Sequence, residues 1–236
     1  MAKDPALPAG SVYLAEDQTA GRGQGGNSWH SSPGANLTFS LLLRPDRLAV
    51  SRLFCLTQLV SLAVVRALRP LLPASAPLSV KWPNDVYCGD RKLAGILIQN
   101  ALRGEWVKTS VVGIGLNVNE AAFPPALSAS ATSLRLVTGR SLDLGDTLQR
   151  VLEAIAEGYA VLERHDYAAL AVAYRGEMYR IDREGPFLRT GATQSFRATV
   201  RGVDGAGRLL LEHSDGSVEA YELRSLRWLP DAPIPR

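Results

Sequence analysis

The sequence predicts an α+β chain, in which a mixed sheet with flanking helices is followed by a small all-β unit. Three observations predict it. Short apolar strands bounded by glycine and proline turns dominate the first half. Helical periodicity replaces them between Gly145 and Arg175. From about Pro186 to Leu229 the pattern changes again, to strands separated only by turn clusters.

Taken in order, Ser11–Glu16 reads as a strand and Asp17–Gly34 as a long polar loop. Asn36–Leu43 is an apolar strand, stopped by Arg44 and Pro45. Val50–Leu68 has apolar residues on nearly every face, which predicts a buried helix. Pro70 and Pro73 terminate it. Leu78–Trp82 is a short strand ending at Pro83. Val86–Cys88 and Lys92–Asn100 flank the turn Gly89-Asp90-Arg91 as a hairpin. Trp106–Leu116 pairs next, after the turn Arg103-Gly104-Glu105. Gly145–Arg164 is helical, with Leu148, Leu152, Ile155 and Tyr159 on one face, and Tyr167–Arg175 is a second helix. Gln194–Val203, Arg208–His213, Ser217–Leu223 and Ser225–Leu229 are short strands. The charged, Gly-ended stretch Arg180–Gly185 divides the chain into units 1–180 and 186–230.

Hydrophobic residues make up 46% of the 236, enough for a globular core and against disorder. The net charge of +3 is spread along the chain, which suits an acidic ligand or partner and argues little for nucleic acid. Cys55 and Cys88 lack metal-ligand spacing, and His30, His165 and His213 stand far apart, so no metal cluster is expected. Met1–Pro5 has no apolar signal region. The most apolar stretch, Leu53–Leu68, is interrupted by Gln58, Ser61 and Arg66 and falls short of the roughly 20 residues of a membrane span. A soluble cytoplasmic protein is expected.

The run from Gly21 to Trp29 holds four glycines, one arginine and an aromatic. Glycines let a backbone approach a ligand closely, and successive amides form an anion-binding nest. Arg22 adds a permanent fork-shaped cation. Such a loop suits a nucleotide or an acyl phosphate. Gly21, Gly23 and Gly26, with Asp46 downstream, satisfy a dinucleotide fingerprint, but Asn27–Gly34 carries no helical periodicity and that reading fails on context.

Two further motifs are more specific. Lys81-Trp82-Pro83-Asn84-Asp85 precedes Lys92-Leu93-Ala94-Gly95-Ile96-Leu97, and Val112-Gly113-Ile114-Gly115-Leu116-Asn117-Val118-Asn119 follows. With the glycine loop and Asn36-Leu37-Thr38-Phe39-Ser40, these resemble the biotin protein ligase family, from about Ala6 to about Leu229. The resemblance implies a class II synthetase-like sheet with flanking helices, followed by a small SH3-like β-barrel. It implies that biotin's carboxylate attacks the α-phosphate of ATP, and that the biotinyl group then passes to a lysine of a biotin carboxyl carrier protein, that of acetyl-CoA carboxylase or a similar carboxylase. Magnesium would accompany ATP.

Residue roles follow from the same resemblance. Arg22 and Lys92 match the catalytic cations at the reacting anions. Gln18, the backbone of Arg22, Gly23 and Gln24, Lys92 and Gly95 match the biotin site. Trp29, Lys81, Asn84 and Asn117 match the ATP and adenylate side, and Asp85 is placed to help hold Mg²⁺. Each has a plainer reading beside it: a solvated loop arginine, a turn lysine, an Asx-turn at Asn84 and Asp85, a core tryptophan at Trp29.

Two departures stand out. Many members have an arginine-rich loop, where this chain has Gln24, Gly25 and Asn27, so fewer cations grip the adenylate. Members also carry a Ser/Thr-Thr-Asn strand and a helix before the segment that begins here near Ala6, so an incomplete biotin pocket or an upstream start is expected. No helix-turn-helix precedes the motifs, and neither a DNA-binding repressor role nor a membrane role is expected; the chain would act as a monomer or homodimer. The alternatives are a catalytically impaired biotin-, nucleotide- or carrier-binding protein, and lipoate or octanoate transfer on a similar fold. The Lys-Trp-Pro-Asn-Asp motif and the C-terminal β unit favour biotin.

Overall fold

Alternation of large apolar with small or polar residues builds the first sheet. A computed structural model describes residues 6–18, 21, 23, 29–45 and 47–230. The strands β1 (Val12–Ala15), β2 (Leu37–Leu43), β3 (Leu78–Lys81), β4 (Asp85–Cys88), β5 (Arg91–Arg103) and β6 (Trp106–Leu116) order as β1-β2-β6-β5-β4-β3. Short turns join β3 to β4, β4 to β5 and β5 to β6, and short turns connect only antiparallel neighbours. The ladders are accordingly antiparallel rather than mixed. Parallel pairing at this sheet is confined to the isolated bridges Val80–Met178 and Lys92–Ala131.

The helices are α1 (Phe54–Leu68), α2 (Pro125–Ser128), α3 (Leu134–Thr138), α4 (Leu144–Glu163) and α5 (Tyr167–Gly176). Phe39, Leu41, Ile96, Val112 and Ile114 of the sheet share one buried cluster with Leu56, Leu59, Val60 and Val64 of α1. Truncating such a leucine to alanine costs about 2–5 kcal/mol. Gly158 of α4 lets that helix approach closely, because a Cβ there would stand 3.2 Å from Leu59 Cγ. Asp143, Asp166 and Ser133 cap α4, α5 and α3 by accepting hydrogen bonds from Asp146 N, Ala169 N and Leu136 N. The segment Val50–Leu71 is apolar enough to pass as a membrane span by composition, but α1 within it is a core helix. The short helices α2 and α3 lie in a stretch for which the sequence pattern predicts no element.

The second sheet contains β7 (Glu184–Arg189), β8 (Ser195–Val203), β9 (Leu209–Glu212), β10 (Val218–Tyr221) and β11 (Leu226–Trp228), ordered β10-β9-β8-β7-β11 and antiparallel. β7 is absent from the expected strands, since Glu184 and Gly185 fall in the boundary stretch Arg180–Gly185 and the first strand expected after it begins at Gln194; Phe187 buries its ring there against Phe196 and Trp228. The two sheets meet at the turn after β3. Trp82 Nε1 donates to Gly207 O at 2.8 Å there, and Tyr174 Oη of α5 donates to Pro83 O in the same turn at 2.8 Å.

Candidate active site

Strand register places one row of residues across five strands: Ala15, Thr38, Gly115, Gly95 and Asp85 are successive partners. Two residues along each strand, Tyr13, Ser40, Gly113 and Leu97 form the next row. Residues two apart share a sheet face, so both rows lie on the face opposite α1. Their small central members make a trough. These nine residues line a cavity of about 720 Å³, within the usual size range of a ligand pocket.

Lys92 enters this face through a β-bulge. Val86 pairs with Ala94 but Tyr87 pairs with Lys92, so Leu93 is an extra residue on β5. One extra residue inverts side-chain parity. Leu93 and Ala94 are therefore both buried, and Lys92 falls on the face of Gly95. Backbone bonds hold the bulge: Lys92 N donates to Ser130 O, Thr132 N to Lys92 O, and Asn117 N to Leu93 O. Lys92 Nζ forms an ion pair with Asp85 Oδ1 at 2.7 Å, both side chains being about two-thirds covered.

Trp29 lies on the glycine floor. A Cβ on Gly115 would stand 2.4 Å from Trp29 Cε2, and one on Gly95 would stand 3.1 Å from Cζ3. Lys92 Nζ is 5.6 Å from the ring centroid, a cation–π distance. The indole Nε1 is buried without a partner among the described residues, leaving a donor available. Trp29 N donates to Gly21 O at 3.1 Å, closing the base of the glycine loop.

The loop's other end is tied down by Glu120, which sequence reading does not single out. Its carboxylate accepts from Ser32 N, Ser32 Oγ and Asn36 Nδ2, while Asn36 Oδ1 accepts from Val118 N. Burial alone would raise the Glu120 carboxyl, but these hydrogen bonds outweigh it and hold it below the usual carboxylate range. A buried acid facing several donors has no periodic signal in sequence.

Of the residues expected from sequence, Gln18, Gly23, Trp29, Asn84, Asp85, Lys92 and Gly95 line the cavity. Arg22 and Gln24 lie outside the described residues. Asn84 Nδ2 donates to Ile96 O, fixing the turn to β5. Two expected residues do not line the cavity. Asn117 is buried beside it, with Nδ2 donating to Thr132 O at 3.0 Å and Oδ1 lacking a partner. Lys81 turns to the sheet edge, where its ammonium faces the rings of Tyr87, Tyr179 and Trp228 at 4.7, 5.7 and 5.7 Å. Burial in this cage lowers its pKa. The lining also includes Arg224, contributed by the second sheet.

Asp85 is the one carboxylate among the described lining residues, and no group of three or more metal-ligating side chains occurs among the described residues. That donor set fits magnesium, which takes few protein ligands when phosphate oxygens supply the rest.

A sequence profile described as the Biotin/lipoate A/B protein ligase family matches residues 3–117. The biotin--[acetyl-CoA-carboxylase] ligase of Paracoccus denitrificans is 33% identical over 217 residues, covering 90% of this chain and 88% of that protein. The bifunctional ligase/repressor BirA of Bacillus spizizenii is 31% identical over 216 residues, covering 91% of this chain; this chain spans only 65% of its length. Among solved structures, the biotin protein ligase of Aquifex aeolicus in complex with biotin and ATP superposes with a TM-score of 0.78 at 28% identity, over 94% of this chain and 91% of that one.

Proposed function

This chain belongs to the biotin protein ligase family, and on that premise we propose that it joins biotin to ATP and passes the biotinyl group to a lysine of a biotin carboxyl carrier protein. The carrying observation is the trough from Ala15 to Asp85 with Lys92 bent onto its floor. The Paracoccus relative is a ligase for acetyl-CoA carboxylase, and the Aquifex structure holds biotin and ATP. On this reading 1–180 would be the catalytic unit and 186–230 the SH3-like unit.

Biotin would lie toward Gln18 and Gly23, at the β1–β2 side, with its carboxylate at Lys92. The nucleotide would lie toward Asn84 and Asp85. In the first step a carboxylate oxygen forms a bond to the α-phosphorus, the bond from that phosphorus to the bridging oxygen breaks, and pyrophosphate leaves. Two anions must meet, and the Lys92 ammonium offsets their repulsion at the point of attack. Arg22 would assist from the loop. Magnesium, held by Asp85 with nucleotide oxygens, would supply further neutralisation of the phosphates when bound. Trp29 supplies a flat wall over the glycines that helps exclude water from a labile acyl phosphate. In the second step the carrier lysine's amine attacks the acyl carbon, AMP leaves, and one proton is released.

The test incubates the purified chain with biotin, MgATP and a biotin carboxyl carrier domain and weighs the carrier. A mass gain of one biotinyl group is expected. An unmodified carrier, together with no biotin-dependent ATP–pyrophosphate exchange, would overturn the ligase reading.

A further inference from the structure

We infer that Glu120 is a positioning residue for adenylate formation: it holds the Trp29 side of the cavity and the strand bulge that carries Lys92 in one fixed relation, an inference that rests on the ligase reading above. Glu120 follows β6, does not line the cavity, and is 5% exposed. Taking a carboxylate out of water is costly unless its lone pairs are filled. Three donors fill them: Ser32 N at 3.1 Å, Ser32 Oγ at 2.8 Å and Asn36 Nδ2 at 2.7 Å. Ser32 stands three residues after Trp29, and Asn36 directly precedes β2. An apolar side chain would fill the same volume without the cost of burying a charge, so core packing does not explain an acid there.

The main chain of the same residue reaches the other way. Glu120 O accepts from Ser133 Oγ at 2.7 Å. Next to Ser133, Thr132 N donates to Lys92 O at 2.9 Å, and Lys92 N donates to Ser130 O at 2.8 Å. The stretch 130–133 therefore grips both backbone polar groups of Lys92. Asn117 adds two bonds to the same join, its N donating to Leu93 O and its O accepting from Leu134 N, each at 3.0 Å. Glu120 thus carries side-chain bonds toward Trp29 and a main-chain bond toward Lys92. The circuit closes across the cavity, where Lys92 Nζ lies 5.6 Å from the Trp29 ring centroid. Attack on the α-phosphorus depends on where that ammonium stands, and a displacement of about 1 Å costs about 10²-fold in rate. An amide in place of the carboxylate would turn N–H groups toward donors, so one end of the circuit would come loose.

The experiment measures kcat for biotin-dependent pyrophosphate exchange in wild type, Glu120→Gln, Lys92→Ala and the double variant. Glu120→Gln should lower kcat about 10- to 100-fold. In the Lys92→Ala background the same change should alter kcat by no more than about twofold, because Glu120 acts through Lys92. A merely structural loss would be equally large in both backgrounds. Ser32→Ala, which removes one bond from the far end, should show the same pattern in weaker form, and it serves if Glu120→Gln does not fold. An unchanged kcat in both single variants, or equal losses with and without Lys92, overturns the inference. If the wild type lacks exchange altogether the ligase reading fails, and hydrogen exchange decides the coupling separately. The Lys92 and Thr132 amides should then exchange faster in Glu120→Gln, and equal protection in variant and wild type overturns it.

Discussion

Lys92 Nζ and Asp85 Oδ1 stand 2.7 Å apart on strands whose unbroken alternation would put them on opposite faces of the sheet. The extra residue Leu93 brings them together. In Lys92→Ala the reacting carboxylate would meet the α-phosphate beside an unpaired Asp85. Loss of a transition-state cation of this kind costs roughly 2.7–4 kcal/mol, about 10²–10³ in rate. Pyrophosphate exchange should fall by that factor. Near-normal exchange in Lys92→Ala would remove Lys92 from the reaction.

The glycine floor makes a contrasting pair of predictions. A methyl at residue 115 would overlap the Trp29 ring, whereas one at residue 113 would meet only Leu97, its O at 3.4 Å and its Cβ at 4.0 Å. Gly115→Ala should shift Trp29, visible as altered tryptophan fluorescence, and cost about 1–3 kcal/mol of stability. Gly113→Ala should leave the melting temperature close to wild type. Equal melting temperatures and spectra for both variants would show that Trp29 does not rest on Gly115.

Glu120 makes loop anchorage pH-dependent. Its carboxyl is held below its ordinary value of 4.5 by Ser32 and Asn36, so the stabilisation is complete above that value and is lost as pH falls through the lowered native one. Glu120→Gln places an amide against those donors and should cost about 1–3 kcal/mol at pH 7. Denaturation curves across the acid range should show the gap between variant and wild type closing as pH drops. A gap constant with pH would mean that charge is irrelevant to the anchor.

Lys81 sits in its cage of Tyr87, Tyr179 and Trp228, with Nζ donating to Tyr87 Oη at 3.3 Å. Lys81→Met removes the cation–π contacts, worth about 0.5–2 kcal/mol, without touching the cavity lining. Amides of β11 should exchange faster while the KM for ATP stays near wild type. A large rise in that KM would return Lys81 to the nucleotide site.

Much of this arrangement is legible in the residues. The span Trp106–Leu116 is the observed β6, and Tyr167–Arg175 falls one residue short of α5, because apolar periodicity between sharp turns leaves little choice. Gly95 and Gly115 are readable as points of close approach, though nothing in their spacing tells that they face each other across β5 and β6. Long-range pairing decides that. The same limit hides Glu120, whose partners Ser32 and Asn36 lie 88 and 84 residues away. Arg224 is hidden more deeply still, since its place in the cavity lining depends on how one sheet docks on another. Glu184 and Gly185, which read as boundary, obscured β7 because tertiary burial of Phe187 overrides local propensity.

Helices cover one face of the six-stranded sheet, and the other carries a trough of Thr38, Ser40, Gly113, Gly115 and Gly95 that Trp29 covers only in part. An antiparallel sheet commonly packs one face on the core and leaves the other to solvent or a ligand. On the ligase reading a bound small molecule would add a layer of its own there, and occupancy would become a structural state as well as a chemical one. At a concentration one hundred times its dissociation constant, a molecule seated only in the folded form adds about 2.7 kcal/mol to stability. The polypeptide would then report starvation for its own substrate by softening, with no separate sensor required.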